Sequence, residues 1–299
     1  MRIGRSTVVS HTGRKRRRNE DAYVFEPPLF AVADGMGGAR AGDLASRLAA
    51  AAVRAGEVDG NGKERVVSLI QQANSSVYKR SNEDAEAAGM GTTMTVALVE
   101  DSVVTFGHVG DSRAYILREG VLEQLTEDHS LVAELVRVGK LSPEEAESHP
   151  QRSVVTRILG TDPDVDVDTF TVDGRPGDVF LICSDGLTTM IGDDDIGRVL
   201  TERSSLDDAA KELVQLANKA GGEDNITVVA FDLTDEPVEP DEQTLEQTQP
   251  MPAVGVDEDT REDVPEKPKR RRVLSRFLPL LLLVAAIAAA AIALWVLAR

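Results

Sequence analysis

Aspartates at the ends of apolar runs are the residues of this chain best suited to chemistry. Asp34 ends the run LFAVAD, Asp185 ends DVFLICSD, and Asp224 directly precedes NITVVAF. In neighbouring antiparallel strands the end of one strand lies beside the start of the next, so these carboxylates are predicted to meet at one edge of a sheet. Clustered carboxylates repel one another, and hard divalent cations such as Mg²⁺ and Mn²⁺ remove that cost. We therefore predict a metal site at this edge.

Three further acids and a glycine extend the candidate metal site. Glu20 and Asp21 stand directly before the apolar run AYVF, and Asp111 lies in the turn of GHVGDSRAY. Gly35 follows Asp34, and a backbone carbonyl beside a flexible glycine can serve as another oxygen ligand. An alternative interpretation is that the glycines of DGMGG cradle a phosphate directly. That stretch lacks the lysine and the Ser or Thr of a Walker loop.

The elements that would position these acids follow from the apolar pattern up to about residue 233. Strand-like runs rich in Val, Ile, Thr and Phe are AYVF, LFAVAD, TTMTVALVE, VVTFGHV, RAYILRE, DTFTV, DVFLICS and NITVVAFDL. Helical periodicity covers residues 42–56, 63–81, 130–139 and 206–220. Short turns join several of the strands and indicate antiparallel hairpins, so the fold class is predicted to be α+β rather than an alternating parallel sheet.

Composition excludes several classes of function. The chain of 299 residues carries a formal net charge of −18, which argues against nonspecific binding of nucleic acid. Its single cysteine, Cys183, excludes a disulfide within the chain. Because Cys183 lies in the apolar run DVFLICS, we expect a buried core thiol rather than a nucleophile.

The sequence after the predicted folded domain, residues 1–234, divides into three segments. Residues 235–266 hold 12 acids, one arginine and no aromatic residue, which predicts a disordered, proline-rich linker. Residues 267–276 form a basic juxtamembrane segment. Residues 277–298 carry no charge over 22 positions, enough to cross a membrane as one helix. The basic flank predicts that the folded domain stays on the cytoplasmic side.

Seven short motifs occur along the folded domain in the order NEDA, ADGMGG, GTTMTV, GDSRAY, TRILG, SDGL and DNITVV. In this order they closely resemble the metal-dependent protein phosphatases of the PPM family, commonly called the PP2C type. The resemblance covers about residues 6–233 and is strongest to bacterial Ser/Thr phosphatases that reverse receptor-like kinases, some with a similar C-terminal anchor. It implies two antiparallel β-sheets in a sandwich flanked by α-helices, with a binuclear Mn²⁺ or Mg²⁺ centre at one edge.

The resemblance also implies roles at this metal centre. Asp34 would bridge two ions, and Asp185 and Asp224 would complete the site of one of them. Glu20 and the carbonyl of Gly35 would serve the other ion, partly through water.

Two more acids belong to the implied ligand set. Asp21 matches the acid adjacent to the Glu20 position. Asp111 matches the aspartate that, together with Asp185, binds a third metal ion in bacterial members of the family.

An arginine is implied as the group that binds the substrate phosphate. The family places it five residues before the motif aspartate, and counting back from Asp21 gives Arg16. Arg17 and Arg18 in the run GRKRRRNED are alternatives for this role. Met36 stands where some members have a histidine as a candidate general acid, so the proton for the leaving alkoxide must come from elsewhere.

Together these features predict a protein-serine/threonine phosphatase that hydrolyses phosphoserine and phosphothreonine with a water activated at the metal centre. Asp34 and Asp185 are its predicted catalytic residues. The expected partners are phosphorylated proteins, above all a transmembrane Ser/Thr kinase and its substrates. The domain is expected to be monomeric and to work at the inner face of the cell membrane. Two alternatives stay open: a two-metal phosphodiester hydrolase for nucleic acid or a cyclic nucleotide, and a non-enzymatic module that holds phosphoproteins at the membrane.

Overall fold

The structure is a computed structural model, and it describes residues 1–37, 41–56 and 60–236. The strands within these ranges are β1 (Arg2–His11), β2 (Asp21–Glu26), β3 (Leu29–Met36), β4 (Gly91–Thr92), β5 (Met94–Glu100), β6 (Val103–Val109), β7 (Arg113–Arg118), β8 (Val121–Gln124), β9 (Asp168–Asp173), β10 (Val179–Cys183) and β11 (Ile226–Thr234). The helices are α1 (Ala41–Ala55), α2 (Gly62–Glu83), α3 (Leu131–Arg137), α4 (Pro143–Glu147), α5 (Asp185–Thr188), α6 (Asp193–Glu202) and α7 (Leu206–Ala220).

The strands form two sheets in which every neighbouring pair is antiparallel. One sheet has the order β1-β11-β10-β7-β8. The other has the order β2-β3-β5-β6-β9, and the short strand β4 pairs with β3. The predicted α+β class, with two antiparallel sheets and flanking helices, is therefore confirmed.

Phenylalanines fill the space between the two sheets. Phe30 of β3 stacks on Phe231 of β11, with ring centroids 4.4 Å apart, and Phe231 stacks on Phe180 of β10. Phe180 also contacts Phe106 of β6, so the aromatic cluster connects strands of both sheets. Because side chains alternate along a strand, the residues between these phenylalanines face outward and pack against helices.

The outer faces of the sheets bury their apolar side chains under two helical layers. Helices α1 and α2 cover the sheet that contains β3, through small residues such as Ala45 and Ala49. Helices α6 and α7 cover the other sheet, where Cys183 packs with Val199 and Leu213. Cys183 is fully buried, and burial raises the pKa of its thiol to about 12, so the prediction of a core thiol is confirmed.

The two sheets bring the predicted acids to one edge of the sandwich. Asp34 lies near the end of β3, paired in register with Asp21 at the start of β2. Asp185 follows β10 and Asp224 precedes β11, and both strands belong to the other sheet. The expectation of a single sheet edge was wrong, because the carboxylates come from two sheets whose edges face each other.

The predicted basic segment 267–276 and the predicted transmembrane helix 277–298 lie outside the described residues, as does the predicted linker from residue 237 onward. Among the described residues, no helix combines the length and the apolar character that a membrane span requires.

Candidate metal centre

A cleft of about 730 Å³ opens at the edge where the two sheets meet. Six of the predicted metal ligands line this cleft: Glu20, Asp34, Gly35, Asp111, Asp185 and Asp224. Arg16, Arg17 and Arg18 line it as well. The structure therefore gathers, around one space, acids that are up to 204 positions apart along the chain (from residue 20 to residue 224).

Asp34 is held in the cleft by its own backbone. Its N–H donates to Thr93 Oγ1 at 2.9 Å, and its carbonyl accepts from Thr93 N and from Thr92 Oγ1. Burial raises the pKa of the Asp34 carboxyl well above its usual range, and the negative charges of Asp21 and Asp185 raise this pKa further.

Asp185 begins the short helix α5 directly beyond β10. Its carboxyl lies close enough to Asp34 for a hydrogen bond between them when one of the two is protonated. Burial, followed by the charge of Asp224, raises the pKa of Asp185 to about 6. Its Oδ1 is buried without a hydrogen-bond partner. An unpaired buried carboxylate oxygen is costly, and a cation would remove that cost.

Asp111 is positioned by the turn between β6 and β7. The preceding residue, Gly110, has φ +114° and donates its N–H to His129 Nδ1 at 3.0 Å. The following residue, Ser112, contacts Thr93 Oγ1 at 2.9 Å through its hydroxyl. Burial raises the pKa of Asp111 to about 8, and the charges of Asp185 and Asp128 contribute to the increase.

Glu20 and Gly35 meet where β3 passes the start of α1. Gly35 N donates to the Glu20 carbonyl at 3.2 Å, and Ser46 Oγ donates to the same carbonyl at 2.5 Å. A Cβ atom at Gly35 would overlap the backbone carbonyl of Gly42, so only glycine fits. Burial raises the pKa of the Glu20 carboxyl.

Asp21 lies behind the cleft rather than on its wall. Its buried Oδ2 accepts from Ser184 Oγ at 2.8 Å and from Thr227 Oγ1 at 2.6 Å. Its Oδ1 is buried without a hydrogen-bond partner, and burial raises the pKa of Asp21 to about 7. Asp21 thus connects the sheet of β2 to the sheet of β10 and β11, and it is the one predicted ligand that does not line the cleft.

Asp224 is paired with the arginine predicted to bind phosphate. Arg16 forms an ion pair with Asp224 Oδ2 at 2.6 Å, and this hydrogen bond raises the pKa of Arg16. Asn225, the next residue, holds the chain on both sides of Arg16 through its side chain. Its Oδ1 accepts from Glu20 N, and its Nδ2 donates to the carbonyls of Thr12 and Arg18. In the sequence, the dipeptide DN is the only signal for this supporting role.

The donor set of the cleft suits a hard divalent cation. Among the described residues, no three His, Cys, Asp or Glu side chains already stand in a coordination arrangement. Five carboxyl groups nevertheless share one cleft, and neighbouring charges raise the pKa values of the buried ones. The buried Oδ1 atoms of Asp185 and of Asp21, which lies behind the cleft, have no hydrogen-bond partner. Carboxylate and carbonyl oxygens are the ligands that Mg²⁺ and Mn²⁺ prefer. The residues present therefore fit such ions.

Comparison with known proteins decides the family. The family model for protein phosphatase 2C matches residues 11–227. The chain belongs to the protein phosphatase 2C family. It is 42% identical over 240 residues to the serine/threonine phosphatase stp of Listeria monocytogenes, an alignment that covers 74% of this chain and 94% of that protein. It is 37% identical over 244 residues to the protein phosphatase PhpP of Streptococcus pneumoniae, covering 78% of this chain and 99% of that one.

Solved structures agree with this assignment. The Mycobacterium tuberculosis serine/threonine phosphatase PstP/Ppp superimposes with a TM-score of 0.74 at 37% identity, covering 78% of this chain and 99% of that one. A catalytic domain of PstP in complex with two manganese ions superimposes with a TM-score of 0.72 at 34% identity, covering 78% and 99%. The predictions of a PP2C-type fold and of a protein-serine/threonine phosphatase are confirmed.

Part of the lining of the cleft comes from the segment between β8 and β9. This part of the phosphatase contains α3 and α4, and its residues Ser153 and Val155 line the cleft. An isolated antiparallel β-bridge pairs Ser130 with Val155, so these two parts of the segment lie side by side. The sequence predicts no site residue in this segment, because Ser153 and Val155 are neither acids nor typical metal ligands.

Two histidines lie close together beside the turn that carries Asp111, with their rings tilted by 33°. The rings of His108 and His129 are 4.8 Å apart between centroids. His108 Nδ1 contacts Thr95 Oγ1, and its Nε2 lies 3.1 Å from the carbonyl of Glu127. Burial lowers the pKa of both histidines, that of His108 to about 4. Burial therefore favours the neutral form of both rings, and His129 supports the turn that carries Asp111 through its contact with Gly110 N.

Proposed function

We propose that this phosphatase hydrolyses phosphoserine and phosphothreonine at a binuclear Mn²⁺ or Mg²⁺ centre. Asp34, Asp185 and Asp224 would hold the ions, with Glu20 and the Gly35 carbonyl as further ligands. The observation that carries this proposal is the convergence of five carboxyl groups and Arg16 on one cleft in a member of the protein phosphatase 2C family.

The chain's own residues would bind the substrate and place its phosphate. When bound, the ions supply positive charge and acidify water, which makes a phosphoester open to direct hydrolysis. Arg16, at the rim, carries a planar guanidinium that suits the oxygens of a phosphate dianion. Met36 lines the cleft and has no proton to give, and Cys183 is buried in the core, so neither acts as acid or nucleophile.

The metal ligands are tested by replacing Asp185 with asparagine. We expect Asp185→Asn to lower kcat/KM on a phosphothreonine peptide in Mn²⁺ by about 1,000-fold, an order of magnitude typical of losing a group that stabilises charge in the transition state. The matched control is Asp194→Asn, an exposed aspartate in the first turn of α6. A wild-type rate for Asp185→Asn would overturn the assignment. Faster turnover of a phosphodiester than of the monoester would favour a diesterase.

We also propose that residues 277–298 anchor the phosphatase in the cell membrane and that its substrates include a transmembrane Ser/Thr kinase. The uncharged stretch of 22 residues and the basic segment before it support this proposal. Tethering raises the local concentration of the domain at the inner membrane face. Removing the residues after about 240 should leave rates on soluble peptides unchanged and slow dephosphorylation of such a kinase in cells. Equal effects on both would contradict the proposal.

A further inference from the structure

The loop between β1 and β2 carries five consecutive cations, at positions 14 to 18, in a chain whose formal net charge is −18. We call residues 12–18 the basic loop. Like charges side by side repel one another, so such a run opposes folding. The proposed function assigns a role only to Arg16 of this loop, so the other cations need a separate explanation.

The basic loop is fixed by backbone contacts. Arg14 N and Lys15 N both donate to the carbonyl of Gly222, at 2.7 and 3.1 Å. Asn225 Nδ2 donates to the carbonyls of Thr12 and Arg18, at 2.9 and 2.8 Å. Both attachments come from the segment that joins α7 to β11. Because both ends of the loop are tied to this segment, its cations are presented at a defined place.

The side chains of the loop remain available to a ligand. All five cations are exposed, and Arg16 is paired with Asp224. Within the part of the chain that the structure describes, Arg17 and Arg18 form no ion pair, although both line the cleft. The lining of the cleft also includes the uncharged residues Ser153 and Val155. The loop therefore adds positive charge to a cleft whose other lining residues are acidic or uncharged.

We propose that Arg17 and Arg18 form a docking surface for carboxylates that flank the phosphorylated residue, so that the phosphatase prefers acidic phosphopeptides. This inference rests on the proposed function and names the substrate class of the same site. Arg16 binds the phosphate, and its two neighbours bind acidic side chains beside it. A peptide fits this surface better than a lipid headgroup does, because the arginines line the wall of a cleft.

The test compares selectivity rather than absolute rate. The full-length phosphatase is assayed in Mn²⁺ on three phosphothreonine peptides that differ only in flanking residues, which are Glu, Gln or Lys. Exposed ion pairs contribute little each, so two of them should give about a 3- to 10-fold higher kcat/KM for the Glu peptide than for the Gln peptide. The Lys peptide should be the poorest substrate. High salt should reduce these differences.

The double variant Arg17→Glu, Arg18→Glu should bring the Glu-to-Gln ratio of kcat/KM to one or below, whatever its absolute rates. The matched control is Arg2→Glu, Arg175→Glu, which makes the same change of charge at exposed positions. Arg2 pairs with the end of β11, and Arg175 precedes β10, so both lie at the far end of their strands from the cleft. This control should keep the wild-type ratio.

Each outcome separates the docking surface from the proposed function. A Glu-to-Gln ratio of kcat/KM of one in the wild-type protein would overturn the docking surface. So would a ratio that persists in the Arg17→Glu, Arg18→Glu variant. Either result would leave the proposed phosphatase activity standing. Absence of turnover on every peptide would overturn the proposed function, and the inference with it.

Discussion

Asp21 illustrates how one residue can serve the site without lining it. Its carboxyl takes hydroxyl hydrogen bonds from Ser184 and Thr227, which belong to the opposite sheet. The charged form is favoured by these two bonds, whereas burial has the larger, opposite effect on its pKa. Asp21 therefore links the two sheets by hydrogen bonds. It does so beside Asp34, with which it pairs in the register of β2 and β3.

His129 is expected to position Asp111 through the backbone. Its Nδ1 accepts the N–H of Gly110, so His129→Leu would leave that N–H unpaired and loosen the turn. We expect a several-fold higher Mn²⁺ concentration for half-maximal activity and about a 10-fold lower kcat/KM, since a misplaced ligand weakens the site. Titration of activity with Mn²⁺ on a phosphothreonine peptide measures both effects.

The conservative variant His129→Asn serves as the control, because its side-chain oxygen can replace Nδ1 as an acceptor. It should recover much of the Mn²⁺ response. Equal behaviour of the leucine and asparagine variants, or a loss of stability in His129→Leu without any change in the Mn²⁺ requirement, would contradict a positioning role.

The sequence predicted the acids of the cleft better than the residues that hold them. Asp34, Asp185 and Asp224 stand out because each lies at the end or the start of an apolar run, which is visible in one dimension. Asn225 and Thr227 do not stand out, because an amide or a hydroxyl near a strand is common. Their role depends on which strand lies opposite, and that pairing is set by contacts between distant parts of the chain.

At the scale of elements, the close contact between β3 and α1 places two ligands at once. Gly35 and Gly42 approach each other so closely that a Cβ on either one would meet backbone atoms of the other. This contact brings the Gly35 carbonyl and Glu20 to the same side of the cleft. Small residues are required here for the same reason that alanines line the rest of α1: the helix lies directly on the sheet.

Gly35→Ala should therefore damage both stability and activity. The added methyl group meets the carbonyl of Gly42, which belongs to helix backbone and cannot rotate away. We expect a loss of about 1–3 kcal/mol in the free energy of unfolding, as for other overpacked sites. A displacement of the ligands should lower kcat/KM by about 100-fold. Urea denaturation and peptide turnover measure the two effects.

Gly192→Ala is the matched control, because a Cβ at Gly192 meets no atom within 4 Å and its φ is −80°. It should cost less than about 1 kcal/mol, the effect of changing a helix N-cap, and leave turnover unchanged. A Gly35→Ala variant as stable and active as this control would show that β3 and α1 can separate without harm.

Helices and strands were predictable to different degrees, for physical reasons. Helices α1, α2 and α7 follow from long amphipathic repeats and were predicted within a few residues. Helix α6 was missed although Ile196, Val199 and Leu200 have helical spacing, because three aspartates open it and read as a loop. Those aspartates stabilise the positive end of the helix dipole. Most strands were visible as apolar runs, but β1 and β8 were missed because polar residues interrupt their apolar ones. A run also does not reveal which sheet its strand joins.

For the molecule as a whole, the buried carboxyl groups in and behind the cleft make the free energy of unfolding depend on pH. Burial raises the pKa of Asp185 to about 6, of Asp21 to about 7 and of Asp111 to about 8. A carboxyl whose pKa is higher in the folded state binds its proton more tightly there. Its contribution to stability is present below the unfolded pKa and is lost as pH rises through the folded pKa. Divalent ions should replace those protons and remove this loss.

His108 makes the opposite contribution in a different pH window. Burial lowers its pKa to about 4, so its contribution to stability is present above about pH 6.5 and is lost as pH falls through 4. Below pH 6.5 the histidine and the carboxyls therefore act in opposite directions. The unfolded histidine loses most of its remaining charge between pH 6.5 and 7.5, which slightly offsets the effect of the carboxyls there. Above about pH 7.5 the histidine is neutral in both states, and the carboxyls of the cleft can be observed without it.

In EDTA, the melting temperature of the phosphatase should fall between pH 6.5 and 8.5, and in Mn²⁺ it should change much less. Each proton held only by the folded state contributes about 1.4 kcal/mol per pH unit, and about 1 kcal/mol shifts the melting temperature of a domain of this size by 2–4 °C. Calorimetry across this range in both conditions measures the difference. Asp111→Asn, which removes a carboxyl whose pKa is raised to about 8, should flatten the EDTA profile. An EDTA profile that stays level in the unaltered protein would mean that the acids of the cleft do not oppose folding, and that their gathering needs no cation to balance it.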